Sequence, residues 1–239
     1  MIKILDCTTR DGGHNTNWEF SAQYVFDLMA KLNQYNVSYF EIGYRNHFEI
    51  DDKGDFYNCS PEFLEKFYNK KENLQLGVMT DVTRFLADDF PAQNADNIDF
   101  VRVAAHPDKI SIACEIVENL YEKGYKVFLQ LMDVSHIEAD GYLHLFAWEN
   151  KHILESLYFA DSYGILSPTD VEQYYNKLKI LGYNKISFHG HNNNGNVLEN
   201  SIKAAALGAY TVDTTDKGIG RRGGNLDLDE FISKNLHKH

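Results

Sequence analysis

Short apolar runs alternate along this chain with longer stretches in which apolar residues recur every three to four positions. The first pattern marks strands buried on both faces, and the second marks helices with a single buried stripe. Strands are predicted at residues 2–6, 37–43, 74–79, 98–103, 127–132, 156–160, 185–188 and 211–213. Helices are predicted at 21–36, from Ser60 onward, and at 84–90, 109–123, 136–148, 168–181, 197–207 and 228–236. Val25, Leu28, Met29 and Leu32 share one face of the first helix, which Ser21 caps. Ser60-Pro61-Glu62 opens the second with a capping hydroxyl and a proline at the first helical position. Gly124, Gly182 and Gly208 stand where helices end, as left-handed caps require.

Strict alternation of strand and helix implies a parallel sheet. Eight such units in 239 residues predict an α/β fold, a single (β/α)8 TIM barrel forming one catalytic domain over residues 1–239. No glycine-rich dinucleotide fingerprint follows the first strand, which disfavours an open doubly wound sheet. A formal net charge of -12 argues against a nucleic-acid partner. No apolar run approaches the roughly 20 residues that span a bilayer, so no membrane partner is expected. Cys7, Cys59 and Cys114 are far apart and form no CxxC pair, which fits a reducing cytoplasm. The polar turn that follows Met1-Ile2-Lys3 comes too early for a signal peptide.

Polar residues cluster at the predicted strand ends, where barrels carry their chemistry. His189-Gly190-His191 places two imidazoles on one face of a strand. Such a pair could ligate a metal, or simply satisfy hydrogen bonds. Asp11, from a strand end close by, adds a carboxylate and favours ligation. Arg10-Asp11 alone reads as a surface ion pair, but here it precedes Gly12-Gly13, where the backbone can bend tightly. His14 is a candidate acid/base in the same loop. Arg45, Arg221 and Arg222 stand near the expected mouth and could bind an anionic substrate group, although loop arginines are usually just solvated.

The stretch Asp6-Cys7-Thr8-Thr9-Arg10-Asp11-Gly12-Gly13-His14 resembles the opening motif of the metal-dependent aldolase and lyase superfamily. That group includes 4-hydroxy-2-oxovalerate aldolase, hydroxymethylglutaryl-CoA lyase, isopropylmalate synthase and carboxyltransferase barrels. Val101 to His106, Phe159-Ala160-Asp161-Ser162, His189 to Asn193 and the glycine loop from Gly218 to Asn225 resemble the aldolase's later strand ends, in order. The resemblance implies Asp11, His189, His191 and Asn225 as metal ligands, Arg10 against the enolate oxygen and His14 as acid/base. Asp6, Glu41 and Ser162 match substrate-orienting or supporting positions, and Tyr163, Tyr44 and Arg45 add bulk and charge at the rim.

The implied activity is class II aldol cleavage or formation of a 4-hydroxy-2-oxo acid through pyruvate enolate. The cofactor expected is a divalent metal, Mn2+ first, with Mg2+ or Co2+ as alternatives. The expected partners are a small 2-oxo acid and an anionic aldehyde, with homo-oligomers common in the family. Two departures matter. The aldolase's C-terminal domain, which docks a dehydrogenase, has no counterpart after residue 231, so channelling is not expected. Arg221 and Arg222 stand where the lyase branch carries a cysteine, which counts against hydroxymethylglutaryl-CoA cleavage. A Claisen-type synthase or lyase acting on acyl-CoA or 2-oxo acids is the enzymatic alternative. A non-catalytic barrel scaffold is the other, and it would predict a broken ligand set.

Overall fold

A computed structural model of the protein describes residues 2–47 and 52–236, so residues 1, 48–51 and 237–239 of the expected 1–239 domain lie outside the described residues. Eight parallel strands close into a barrel in chain order. They are β1 (Lys3–Asp6), β2 (Tyr39–Tyr44), β3 (Gln75–Asp81), β4 (Phe100–Ala105), β5 (Lys126–Leu131), β6 (Leu154–Asp161), β7 (Ile186–Gly190) and β8 (Thr211–Thr214). Closure is made by β8 against β1, with Lys3 opposite Thr211 and Asp6 opposite Thr214.

Two helical turns that the sequence pattern does not announce follow β1, α1 (Thr8–Asp11) and α2 (Gly13–Thr16). The outer ring then comprises α3 (Ala22–Gln34), α4 (Pro61–Tyr68), α5 (Ile110–Glu122), α6 (Ala139–Ala147), α7 (Pro168–Ile180), α8 (Val197–Ala206) and α9 (Leu228–Leu236). Ser21 and Ser60 accept from the amides of Tyr24 and Phe63, so both expected caps form. Gly124, Gly182 and Gly208 carry φ of +95°, +91° and +89°.

The helix expected at residues 84–90 is absent. That stretch holds a single 3-10 turn, Ala87–Asp89. Pro91 disfavours the helical region for Phe90, which is extended at φ -117° and ψ 95°. Phe90 is buried and stacks on Phe85, their rings 5.5 Å apart. Packing of two aromatics therefore anchors this connection where a helix would otherwise have to.

The apolar core has two parts. A large layer lies between strands and helices, and a small cluster of Leu5, Cys7, Tyr39, Phe100, Phe128 and Tyr158 fills the barrel interior. Edge-to-face contacts of Tyr39, Phe100 and Phe128, with centroids 5.2 to 5.6 Å apart, make this plug directional as well as apolar. The barrel is thus a packed platform. The site stands on top of it.

Candidate metal centre and its cavity

Strand periodicity sends Glu41 of β2, Arg102 of β4 and Asp213 of β8 into the barrel, all three buried. Isolated charges there would cost several kcal/mol each, so they occur as a connected set. Arg102 donates from Nε to Glu41 Oε2 at 2.6 Å and from Nη1 to Asp213 Oδ2 at 2.5 Å. Arg10 donates from Nε to Glu41 Oε1 and from Nη1 to Asp11 Oδ1, both at 2.6 Å. His189 Nδ1 lies 2.8 Å from the same Asp213 Oδ2. One chain of alternating charge thus runs from Asp11 through both arginines to His189.

This chain fixes the groups above it. With Nδ1 engaged by Asp213, His189 must present Nε2, which is buried and without a hydrogen-bond partner. Among the described residues, both ring nitrogens of buried His191 also lack hydrogen-bond partners, as does Asn225 Oδ1. Donor atoms of Asp11, His189 and His191 lie within 4.8 Å of one another. Burial opposes ionisation of Asp11, but Arg10 foremost outweighs it and holds the carboxyl well below the usual range. Burial, then the neighbouring His189, lowers His191 to about 3, so its ring is neutral near pH 7. A carboxylate and two imidazoles with orphaned buried nitrogens fit a divalent transition metal. Asn225 donates from Nδ2 to Asp11 Oδ2 at 2.5 Å, which leaves its oxygen as a further donor. Cys7, His189 and Asp213 also converge. They fit less well: Asp213 is already bound to His189, and burial pushes the Cys7 thiol well up, away from thiolate.

Gly12 and Gly13 serve this centre differently from the expected tight bend. Gly12 has right-handed φ of -64°, and a Cβ on it would lie 2.4 Å from the Thr8 carbonyl oxygen. On Gly13 a Cβ would meet the Trp18 ring at 2.2 Å. Close approach, not a left-handed backbone, is what requires glycine there. Trp18 in turn donates to the Arg10 carbonyl oxygen at 3.0 Å, locking the loop that carries Arg10.

A cavity of about 330 Å³ opens beside the ligand group, lined by Arg10, His14, Tyr44, Gln130 and Arg221 among others. Arg10 Nη2 is buried and has no partner. His14 packs edge-on to Trp18 at 4.6 Å. Desolvation, then the charges of Arg221 and Arg10 against the opposing pull of Asp11, holds its pKa below the ordinary histidine value.

The remaining expected site residues are not brought together with these. Asp6 is buried: Oδ1 accepts from Thr8 at 2.9 Å, and burial raises its pKa to about 7. It holds the first amide of α1 and is not among the residues lining the cavity. Ser162 accepts from the Asp133 amide at 2.8 Å, tying two rim loops together. Tyr163 meets His136 edge-on at 5.8 Å and lies beneath Arg222 at 5.1 Å, off the same cavity.

Arg45 corrects the sequence reading. It is turned into the protein body, 2 % exposed, with Nη1 and Nη2 on Asp96 and Nε on the Cys59 carbonyl oxygen. Arg45→Ala is therefore expected to leave KM for any substrate unchanged and to cost about 3 kcal/mol of stability, since it leaves the buried Asp96 carboxylate without its counter-charge, with the Tyr125 hydroxyl and the Asn97 amide as its remaining donors. Urea unfolding and steady-state kinetics on the variant check both halves. A raised KM with unchanged stability would return Arg45 to the site.

Arg102, Asp213, Gln130, Lys53 and Arg84 escaped the sequence reading as site residues. For Arg102 a signal existed: a lone charge inside Phe100-Val101-Arg102-Val103 demands a buried partner.

The family model described as HMGL-like matches residues 1–238. Oxaloacetate decarboxylase of Mycobacterium tuberculosis is 25% identical over 234 residues, covering 96% of this chain and 68% of that protein. 4-Hydroxy-2-oxovalerate aldolase of Carboxydothermus hydrogenoformans is 25% identical, covering 97% and 70%. Among solved structures, the N-terminal domain of a candidate aldolase from Bacteroides vulgatus superposes with a TM-score of 0.89 at 28% identity, covering 100% of this chain and 80% of that one. The carboxyl transferase domain of Rhizobium etli pyruvate carboxylase shares the fold at a TM-score of 0.78 and 16% identity, covering 99% and 43%.

Proposed function

We propose, because this chain belongs to the HMGL-like family, that it is a divalent-metal-dependent aldolase that cleaves or forms the C3–C4 bond of a 4-hydroxy-2-oxo acid. The observation that carries the reading is Arg10: it lines the cavity, donates to Asp11 of the ligand group, and keeps a buried Nη2 with no hydrogen-bond partner among the described residues. An unsatisfied guanidinium edge is costly unless a ligand completes it. An oxygen that gains negative charge during the reaction is such a ligand.

Asp11, His189 and His191, with Asn225 beside them, would hold the ion. When bound it supplies Lewis-acid polarisation of a ketone. Arg10 then donates to the ketone oxygen as charge builds there. Glu41 and Asp11 hold its other donors, so no reorganisation is needed at that moment. His14, neutral near pH 7, takes the proton from the 4-hydroxyl as the aldehyde leaves and returns it in the reverse direction. Asp213 keeps His189 in the tautomer that exposes Nε2.

Pyruvate alone tests the reading, because proton exchange at its methyl group needs no aldehyde. In D2O, protein with added Mn2+ or Mg2+ is expected to deuterate that methyl, read by mass spectrometry after an EDTA quench. Exchange should cease with EDTA in the reaction itself. No exchange in a folded, metal-loaded sample would overturn the reading. A decarboxylase of oxaloacetate could share the exchange, but it would form no new C–C bond when an aldehyde is added with the pyruvate.

A further inference from the structure

The cavity wall holds more positive charge than the reaction above uses. Besides Arg10 it carries Lys53, Arg84 and Arg221, against one carboxylate among the described residues, Asp81, in a chain whose net charge is -12. Arg10 is neutralised by Glu41 and Asp11. Arg221 approaches the metal group, its Nε 3.6 Å from Asp11 Oδ1 and otherwise unpartnered. That leaves Lys53 and Arg84.

These two share one wall. Lys53 Nζ lies 5.2 Å from the Trp18 ring centre, and the Arg84 guanidinium lies 5.9 Å from that of Tyr57. The two rings pack against each other at 4.7 Å. Arg84 is aimed by Asp81, at 3.0 Å from Nε, and by the Tyr57 hydroxyl, at 2.7 Å from Nη1. Its Nη2 carries no bond among the described residues. Among the described residues, the one hydrogen bond from Lys53 Nζ goes to the neutral Asn17 Oδ1, at 2.7 Å. Across the cavity, buried Gln130 leaves Oε1 without a partner. At roughly 30 Å³ per water-sized group, 330 Å³ holds about eleven such groups. The six non-hydrogen atoms of pyruvate do not fill that space.

We propose that Lys53 and Arg84 form an anion subsite for the far end of the substrate. The aldehyde half would then carry its own carboxylate or phosphate ester. This rests on the aldolase reading and names the substrate class of the same site. A guanidinium fork beside an ammonium, mounted on two aromatic rings, suits an anion that enters from solvent and leaves after reaction. A neutral aldehyde would leave Lys53 without a counter-charge and the Nη2 edge of Arg84, whose Nε is held by Asp81, without an acceptor. Bond making is that of any aldol addition: C3 of pyruvate, having lost a proton, joins the aldehyde carbon, and the resulting alkoxide takes a proton to become the 4-hydroxyl.

The test measures kcat/KM for condensation with pyruvate, using succinic semialdehyde against its uncharged analogue methyl 4-oxobutanoate, and glyceraldehyde 3-phosphate against glyceraldehyde. At least one anionic aldehyde is expected to be preferred by about tenfold or more, the usual worth of a charge-assisted contact. Which pair shows the preference tells carboxylate from phosphate. The preference should fall in Lys53→Met and in Arg84→Met, and should weaken with rising salt. Lys53 is exposed, so its variant remains informative if Arg84→Met fails to fold. Equal kcat/KM for charged and neutral partners, in protein that exchanges the pyruvate methyl, would overturn the subsite and spare the aldolase reading. Failure of both exchange and condensation would remove the two together.

Discussion

Arg10→Lys should lower the rate constant for pyruvate methyl exchange by about 10²–10³-fold, the usual effect of removing one preorganised donor from a developing oxyanion. Lysine keeps the charge but cannot reproduce the geometry. Arginine reaches Glu41 through Nε and Asp11 through Nη1 and keeps Nη2 free of any hydrogen bond among the described residues, all from one rigid plane. A single ammonium satisfies one or two of these at most. The loss should fall on kcat more than on KM, because the contact strengthens only as charge develops. Thermal unfolding of the same variant separates a chemical effect from a structural one. A rate within threefold of the parent, in a stably folded protein, would remove Arg10 from the reacting oxygen.

Arg10 also shows how far sequence goes. The HxH pair at the end of β7 was legible because alternation gives the face there, whereas Asp11 and His14 stand on helical turns and were read from resemblance to the family motif. The barrel itself was legible from alternation as well. What could not be read is pairing at a distance: Arg102 meets Glu41 across 61 positions and Asp213 across 111. No local pattern encodes those separations.

Arg45 went wrong for a more specific cause. Strict alternation from Glu41 would place Gly43 and Arg45 on its inward face. Register between β2 and β3 shifts between Glu41 and Gly43, and such an irregularity inverts the phase beyond it. Tyr44 consequently lines the cavity while Arg45 turns outward to Asp96. The cations that do line the cavity include Lys53 and Arg84, from connections with no periodicity to read. Arg84 depends on the same stretch whose expected helix was replaced by Phe85 and Phe90 packing.

Metal linkage gives the other large effect. With free Mn2+ at a hundred times its dissociation constant, the parent protein should gain about 2.7 kcal/mol of stability, and EDTA should reverse it. His191→Ala should lose most of that gain, together with exchange activity, because it deletes a ligand rather than a support. Its pH behaviour supplies an independent check on the metal-free protein. His191 titrates at about 3 when folded against an ordinary value of 6.5. Above pH 6.5 both folded and unfolded chains hold it neutral, so it contributes no slope. As the pH falls below 6.5 the unfolded chain takes the proton first, and stability drops by at most about 1.4 kcal/mol per pH unit until the folded value is reached. His191→Ala should make that acid limb shallower by the His191 share, with the share of His14 remaining, while removing the Mn2+ response at pH 7.5. A variant that keeps the full Mn2+ response would place the ion elsewhere, and one that keeps the full acid slope would mean that another buried group carries it.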